Sequence, residues 1–229
     1  MVQVLQFDDA EGVAKGAAIG VETKIGELLN KQELVNLVVT GGTVGIKTLA
    51  ELKNLSVDWS RVHIWWGDER FVASDSGDRN FVQAENALLT HIDIPESNLH
   101  PFPAADEGLS LDQAAVEFAK QVAGVKFDLL LLGVGPDGHI ASLFPGHELA
   151  GRFVVAEHDS PKPPPQRLSF SYEVINSADE VWFTVAGADK ADAVFAGLKE
   201  NPQDLPVGRV RGVQRTLWFA DSAALARLK

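Results

Sequence analysis

Four consecutive leucines, Leu129–Leu132, follow Phe127-Asp128 and run straight into glycines. A strand with one wet face alternates apolar and polar residues, so an unbroken apolar run suits a strand covered on both faces. The rest of the chain supplies matching partners. Val4–Phe7 reads as a strand, and apolar residues from Ala10 to Leu29 recur at helical spacing behind Asp8 or Asp9 as N-cap. Leu34–Gly42 reads as a buried strand, Val44–Leu55 as a helix and Val62–Glu69 as the next strand. A helix from about Asp78 and another over Leu111–Ala123 precede the leucine strand. Beyond it, Arg152–Glu157, Arg167–Ile175 and Glu180–Asp189 read as strands, and Lys190–Leu198 as a helix. Gly208–Gly212 and Thr216–Ala220 read as final strands before a short terminal helix. This alternation predicts an α/β fold, a mostly parallel Rossmann-like sheet with helices on both faces.

The only linker-like stretch, the proline-rich Asp159–Arg167, is short and flanked by strands, so it reads as a surface loop within one domain spanning residues 1–229. A formal net charge of −12 without any Lys/Arg cluster excludes DNA or RNA as a partner. A small anion is different, because a few converging basic side chains make a local positive pocket on an acidic protein. With no cysteine, disulfides and thiolate catalysis are excluded. No apolar run approaches membrane-span length and no signal peptide opens the chain, so the expected setting is cytoplasmic, with no membrane partner. The oligomeric state is left open, a monomer included.

In open sheets of this kind, ligands bind beyond the carboxyl ends of the strands. Three predicted strand ends carry unusual residues: Thr40-Gly41-Gly42-Thr43, Gly67-Asp68-Glu69-Arg70 and Gly133–His139. The last contains a literal G-x-G-x-x-G in Gly133, Gly135 and Gly138. A dinucleotide site needs a long helix from the third glycine, yet only His139–Phe144 precedes Pro145-Gly146, and Pro136 stiffens the turn. Gly41–Thr48 misses the P-loop pattern because Ile46 separates Gly45 from Lys47. Gly41 and Gly42 still read in two ways, as a phosphate cradle at a helix N-terminus or as a sharp strand-to-helix turn. The histidines show no zinc-ligand spacing beyond a distant His139/His147 pair, and no metal or other cofactor is implied.

The runs Gly133–Gly146 and Trp65–Val72 together resemble the 6-phosphogluconolactonase family, within the wider sugar-phosphate isomerase and deaminase superfamily. The resemblance extends over nearly the whole chain, through Thr40–Thr43, Asp78–Leu89 and Arg167–Val194 in order. It implies a sugar-phosphate isomerase-like fold and hydrolysis of 6-phospho-D-glucono-1,5-lactone, a small phosphorylated sugar lactone, in the oxidative pentose phosphate pathway. On this reading the glycines shape a turn that presents His139. There are departures. Thr43 replaces the usual serine of the phosphate loop, no proline follows it, and Ile140 replaces a threonine. Arg79 replaces a serine before Asn80 and is expected to add positive charge at the rim.

The implied roles follow. His139 is the general base that takes a proton from water. Asp137 either orients that ring or caps a short helix. Gly41, Gly42 and Thr43 hold the phosphate, with Arg167 and Lys190 supplying charge. Arg70 serves the phosphate or the developing oxyanion. Asp68 and Gly138 complete the substrate contacts, Glu69 is structural, and Asn80 either binds sugar hydroxyls or begins a helix. Two rival functions share the fold, a sugar-phosphate isomerase or deaminase and a non-catalytic sugar-phosphate sensor. Deaminases carry a glutamate where this chain has Phe144, and an apolar ring cannot assist proton transfer.

Overall fold

The computed structural model describes residues 1–200 and 205–228. Its main sheet has seven strands, all parallel: β1 (Val2–Phe7), β2 (Val35–Val39), β3 (Val62–Trp66), β5 (Leu99–His100), β6 (Leu129–Leu132), β9 (Glu180–Val185) and β10 (Arg215–Asp221). Their spatial order is β1-β10-β9-β6-β2-β3-β5, which puts the leucine strand β6 at the centre. All four of its leucines are buried, as an unbroken apolar run requires when both faces are covered.

Tryptophans show how the two faces are filled. Neighbouring residues of a strand point to opposite faces, and Trp65-Trp66, Trp182-Phe183 and Trp218-Phe219 each place one ring on either side. Trp182 stacks near Phe219, with centroids 5.1 Å apart, and both meet Gly20 of α1 (Ala10–Leu29). On the opposite face Phe183 stacks on Trp218 at 4.1 Å, where Gly197 lies close above the indole. At the other edge Trp66 meets Phe81 of α3 (Asn80–Ala87), while Trp65 meets Phe118 of α4 (Leu111–Val122). Helices therefore cover both faces, with α1, α2 (Gly42–Leu52) and α3 packed in series on one of them.

Several local expectations change. Val62–Glu69 is two strands, because the chain breaks at Gly67 and β4 (Asp68–Arg70) joins a second, three-stranded antiparallel sheet. That sheet runs β4-β8-β7, with β7 over Val154–Glu157 and β8 over Arg167–Phe170. Arg167–Ile175 is strand only to Phe170. Ser171 accepts from the Val174 N–H and starts α5 (Tyr172–Ser177). Gly208–Gly212 forms no strand; its backbone is used locally, as where Gly212 N–H donates to Thr216 Oγ1. No helix forms after Gly138: Ile140 and Leu143 close an isolated β-bridge around Ala141, which has φ +47°. The helix expected from Lys190 is α6 (Ala191–Phe195) followed by a π-turn over Ala196–Glu200. Among the described residues no helix is long and apolar enough to cross a membrane.

Candidate active site

The carboxyl ends of β2, β6 and β9 open into one cleft of about 620 Å³, walled by β4 and by the loop before β8. Gly41 ends the turn from β2 into α2, and no side chain caps this helix N-terminus. Its first amides are therefore available to a ligand, and the helix dipole favours an anion there. Gly41 is glycine for a steric reason: a Cβ would stand 2.0 Å from Asn80 Oδ1. Gly42, with φ +77°, and the exposed Thr43 continue the same rim.

Asn80 is 2% exposed and donates through Nδ2 to the Asp68 carbonyl at 2.8 Å. Its Oδ1 has no hydrogen-bond partner among the described residues and faces the cleft wall at Gly41. What anchors Asn80 is Glu69, fully buried, whose carboxylate accepts from the Arg70, Asn80 and Phe81 amides at 2.8, 2.6 and 2.9 Å. Burial raises the Glu69 pKa, while those amides and Arg79 oppose the shift. Arg79 is the partner cation at 3.5 Å and also donates to the Phe102 carbonyl. At 3% exposure it is no rim charge, contrary to the sequence expectation; it is buried to accompany Glu69.

The loop after β6 brings up His139. Gly135 must be glycine here, since a Cβ would overlap the imidazole, 1.9 Å from its Nδ1. Asp137 Oδ1 pairs with His139 Nδ1 at 2.5 Å and also accepts the His139 amide, and Phe144 packs against the ring with centroids 4.8 Å apart. With Nδ1 committed to Asp137, the nitrogen left for chemistry is Nε2. Burial pushes the imidazole pKa below its usual value, and Asp137 and Asp68 only partly restore it, which favours the neutral ring that a base requires. Burial also acts upward on Asp137, but His139 more than offsets it and the carboxyl titrates below the ordinary range. Asp68 is held by Ser142 Oγ at 2.7 Å, which ties the His139 loop to β4.

Cations converge from three directions. Arg70 and Arg167 are directly opposite in the β4–β8 ladder. Like charges in such a pair repel, so the arrangement favours an anion between or beside them. Arg70 donates to the Asp78 carbonyl, while its Nε is buried without a partner among the described residues. Lys190, at the turn after β9, pairs with Asp189 at 2.9 Å.

The cleft thus gathers Gly41, Gly42, Thr43, Asp68, Arg70, Asn80, His139, Arg167 and Lys190. Asp137 stands behind His139 rather than on the wall, and Gly138 is buried with φ +82°, its carbonyl accepting from Val207 N–H. Sequence reasoning missed Lys162 and the end of β9, Thr184–Gly187, which also line the cleft. The first sits in the proline-rich stretch that reads as a surface loop, and the second carries no motif. A smaller cavity of about 150 Å³ between Leu143, His147 and Tyr172 contains none of these groups. His147 pairs instead with the buried Glu157 at 2.7 Å, and the described residues hold no cluster of metal-binding side chains.

The arrangement agrees with what the chain is similar to. Its sequence matches the family described as glucosamine-6-phosphate isomerases/6-phosphogluconolactonase over residues 8–218. It is 39% identical to a 6-phosphogluconolactonase of Mycobacterium leprae, covering 97% of this chain and 96% of that one. A 6-phosphogluconolactonase of Streptomyces coelicolor is 39% identical, with 99% and 94% covered. The crystal structure of 6-phosphogluconolactonase from Thermotoga maritima superposes with a TM-score of 0.87 at 28% identity, over 97% of this chain and all of that one. Full-length similarity in sequence and in fold has one consequence: this chain belongs to the glucosamine-6-phosphate isomerase/6-phosphogluconolactonase family.

Proposed function

We propose that this chain, acting as one domain in the cytoplasm, hydrolyses 6-phospho-D-glucono-1,5-lactone to 6-phosphogluconate in the oxidative pentose phosphate pathway. The observation that carries the reading is His139, fixed through Nδ1 by Asp137, in a cleft otherwise built for an anion. His139 Nε2 takes a proton from the attacking water, and Asp137 holds the ring in the tautomer this requires. The phosphate dianion rests on the amides of Gly41–Thr43 with Lys190 and Arg167 near it. Arg70 balances the oxyanion, and Asn80 Oδ1 accepts from a sugar hydroxyl. Asp68 orients the sugar from β4, and Gly138 contributes by shaping the turn rather than by contact.

The deaminase alternative loses support. Phe144 is 2% exposed against the His139 ring, and Glu148 is exposed and off the cleft wall. Among the described residues, neither Phe144 nor Glu148 offers a carboxylate to the cleft beside His139. The test is hydrolysis of lactone generated in situ, with spontaneous hydrolysis subtracted. Wild type should turn over rapidly, and His139→Ala should lose about 10²–10⁴-fold in kcat while remaining folded. Wild-type inactivity on this lactone would sink the reading, and full turnover in the variant would remove His139 as base.

A further inference from the structure

The proposed substrate brings one phosphate, yet four cations line the cleft: Arg70, Lys162, Arg167 and Lys190. Three are already engaged by protein groups. Lys190 pairs with Asp189, and Arg70 donates to the Asp78 carbonyl. Arg167 is spent on the proline loop, Nε donating to the Pro164 carbonyl at 3.1 Å, and Nη2 to those of Lys162 at 3.1 Å and Pro163 at 3.2 Å. Ser160 closes the same loop from within, its Oγ donating to the Lys162 carbonyl and accepting the Lys162 amide. Both backbone groups of Lys162 are thus fixed by buried residues. Its ammonium alone has no hydrogen-bond or ion-pair partner among the described residues. A cation projected from a clamped backbone into a cleft, with nothing to pair with, is organised for a ligand rather than for stability.

Resting on the lactonase reading above, we propose that Lys162 is a catalytic residue at the reacting end of the cleft, and that Arg167, besides lending charge to the phosphate, positions Lys162 through Nε and Nη2. The end is assigned by the frame around the loop. Arg167, which fixes the Lys162 carbonyl, stands opposite Arg70 in the β4–β8 ladder. Ser142 of the His139 loop is bonded to both Asp68 and Ser169 of that ladder. Asp137 and His139 come from the loop after β6, Asp189 and Lys190 from the turn after β9, and Arg167 from β8, while Asp68 and Arg70 of β4 face His139 and Arg167. Of these charges Asp137, the partner of His139, acts most strongly on Lys162. When the water oxygen bonds to the lactone carbon, its proton passes to His139 Nε2 and the carbonyl π pair moves onto oxygen. Lys162 donates an N–H to that oxyanion, which the Arg70 charge also balances. Collapse breaks the bond to the ring oxygen, which takes the proton from His139, and the acid formed ionises opposite the ammonium. Burial is the main cause of the depressed imidazole pKa, and the same positive charge adds to it.

Wild type, Lys162→Met, Lys162→Arg and Arg167→Lys are compared in two measurements. Steady-state lactone hydrolysis should show kcat lowered by about tenfold or more in Lys162→Met, with KM changed less than about threefold and partial recovery in Lys162→Arg. An NMR titration of the imidazole should show the His139 pKa raised in Lys162→Met, which a merely structural lysine would not produce. Arg167→Lys should lower kcat in wild type and add little once Lys162 is methionine. Wild-type kcat in Lys162→Met, or a rise confined to KM, overturns the assignment. The titration needs no turnover: if no chain hydrolysed the lactone, the functional reading would fall, while an unmoved His139 pKa would overturn the Lys162 proposal on its own.

Discussion

The seven-stranded and three-stranded sheets bury their residues for opposite reasons. Across β6 and β9 the main sheet is filled mostly by leucine, valine and aromatic rings, with Glu180 buried at the start of β9 beside Lys24 and Arg215. Its stability follows chiefly from apolar area removed from water. The small sheet, in far fewer residues, buries Asp68, Glu69, Glu157, Arg167 and Ser169. Burying charge is costly unless it is paired and hydrogen-bonded. Glu69 meets that demand with three amides and Arg79; Arg70 and Arg167, face to face, have backbone carbonyl partners but no ion pair among the described residues. The main sheet holds the molecule together, and the small sheet spends part of that stability on a site.

If this contrast is right, the two sheets answer to different insults. Glu69→Ala strips the α3 amides of their acceptor and leaves Arg79 buried and uncompensated, so chemical denaturation should show a loss of about 3–5 kcal/mol. Leu131→Ala, at the centre of the main sheet, should cost about 2–5 kcal/mol by the same measurement, with kcat of the folded fraction unchanged. Equal sensitivity of kcat in both variants would erase the distinction. Arg70→Gln sharpens it: kcat should fall about 10²-fold while the melting temperature holds or rises, because a like-charge pair is relieved. A melting temperature that drops with kcat would show Arg70 to be structural.

The smallest effect concerns pH. A general base works when deprotonated, so kcat/KM should rise with pH through the His139 pKa, which lies below its ordinary value, and level off by neutrality. Asp137 raises that pKa by hydrogen bond and charge. Asp137→Asn should therefore move the limb to lower pH while reducing the plateau rate. A limb displaced to higher pH would contradict the pairing.

The same contrast explains what the sequence made legible. Periodicity is a record of apolar burial, so the parallel sheet, its central leucine strand and its flanking helices could be read directly. Asp68-Glu69-Arg70 carries no such record; as three charged residues it reads as a strand end, not as a strand of another sheet. Arg167–Ile175 alternates well enough to hide the N-cap at Ser171. Arg79 was misjudged because its burial depends on Glu69, a pairing across helix and strand that no local pattern displays. The glycine-rich strand ends brought the Gly41 turn and the His139 loop into view, while Asn80 and the role of His139 came with the family resemblance. Lys162 belongs to the cleft only through Arg167, and a long-range clamp leaves no periodic trace.

Gly67 is where the two sheets meet: its N–H donates to the Val39 carbonyl of the main sheet at 3.1 Å, and its carbonyl accepts from Phe170 of the small sheet at 2.8 Å. One residue thus serves as a common datum for both. The distance between the helix terminus that follows β2 and the arginines of β4 and β8 is machined into the frame, like the gap of a fixed caliper. Two backbone hydrogen bonds through one glycine, rather than any side chain, thus link the strand that leads into α2 to the strand that carries Arg167.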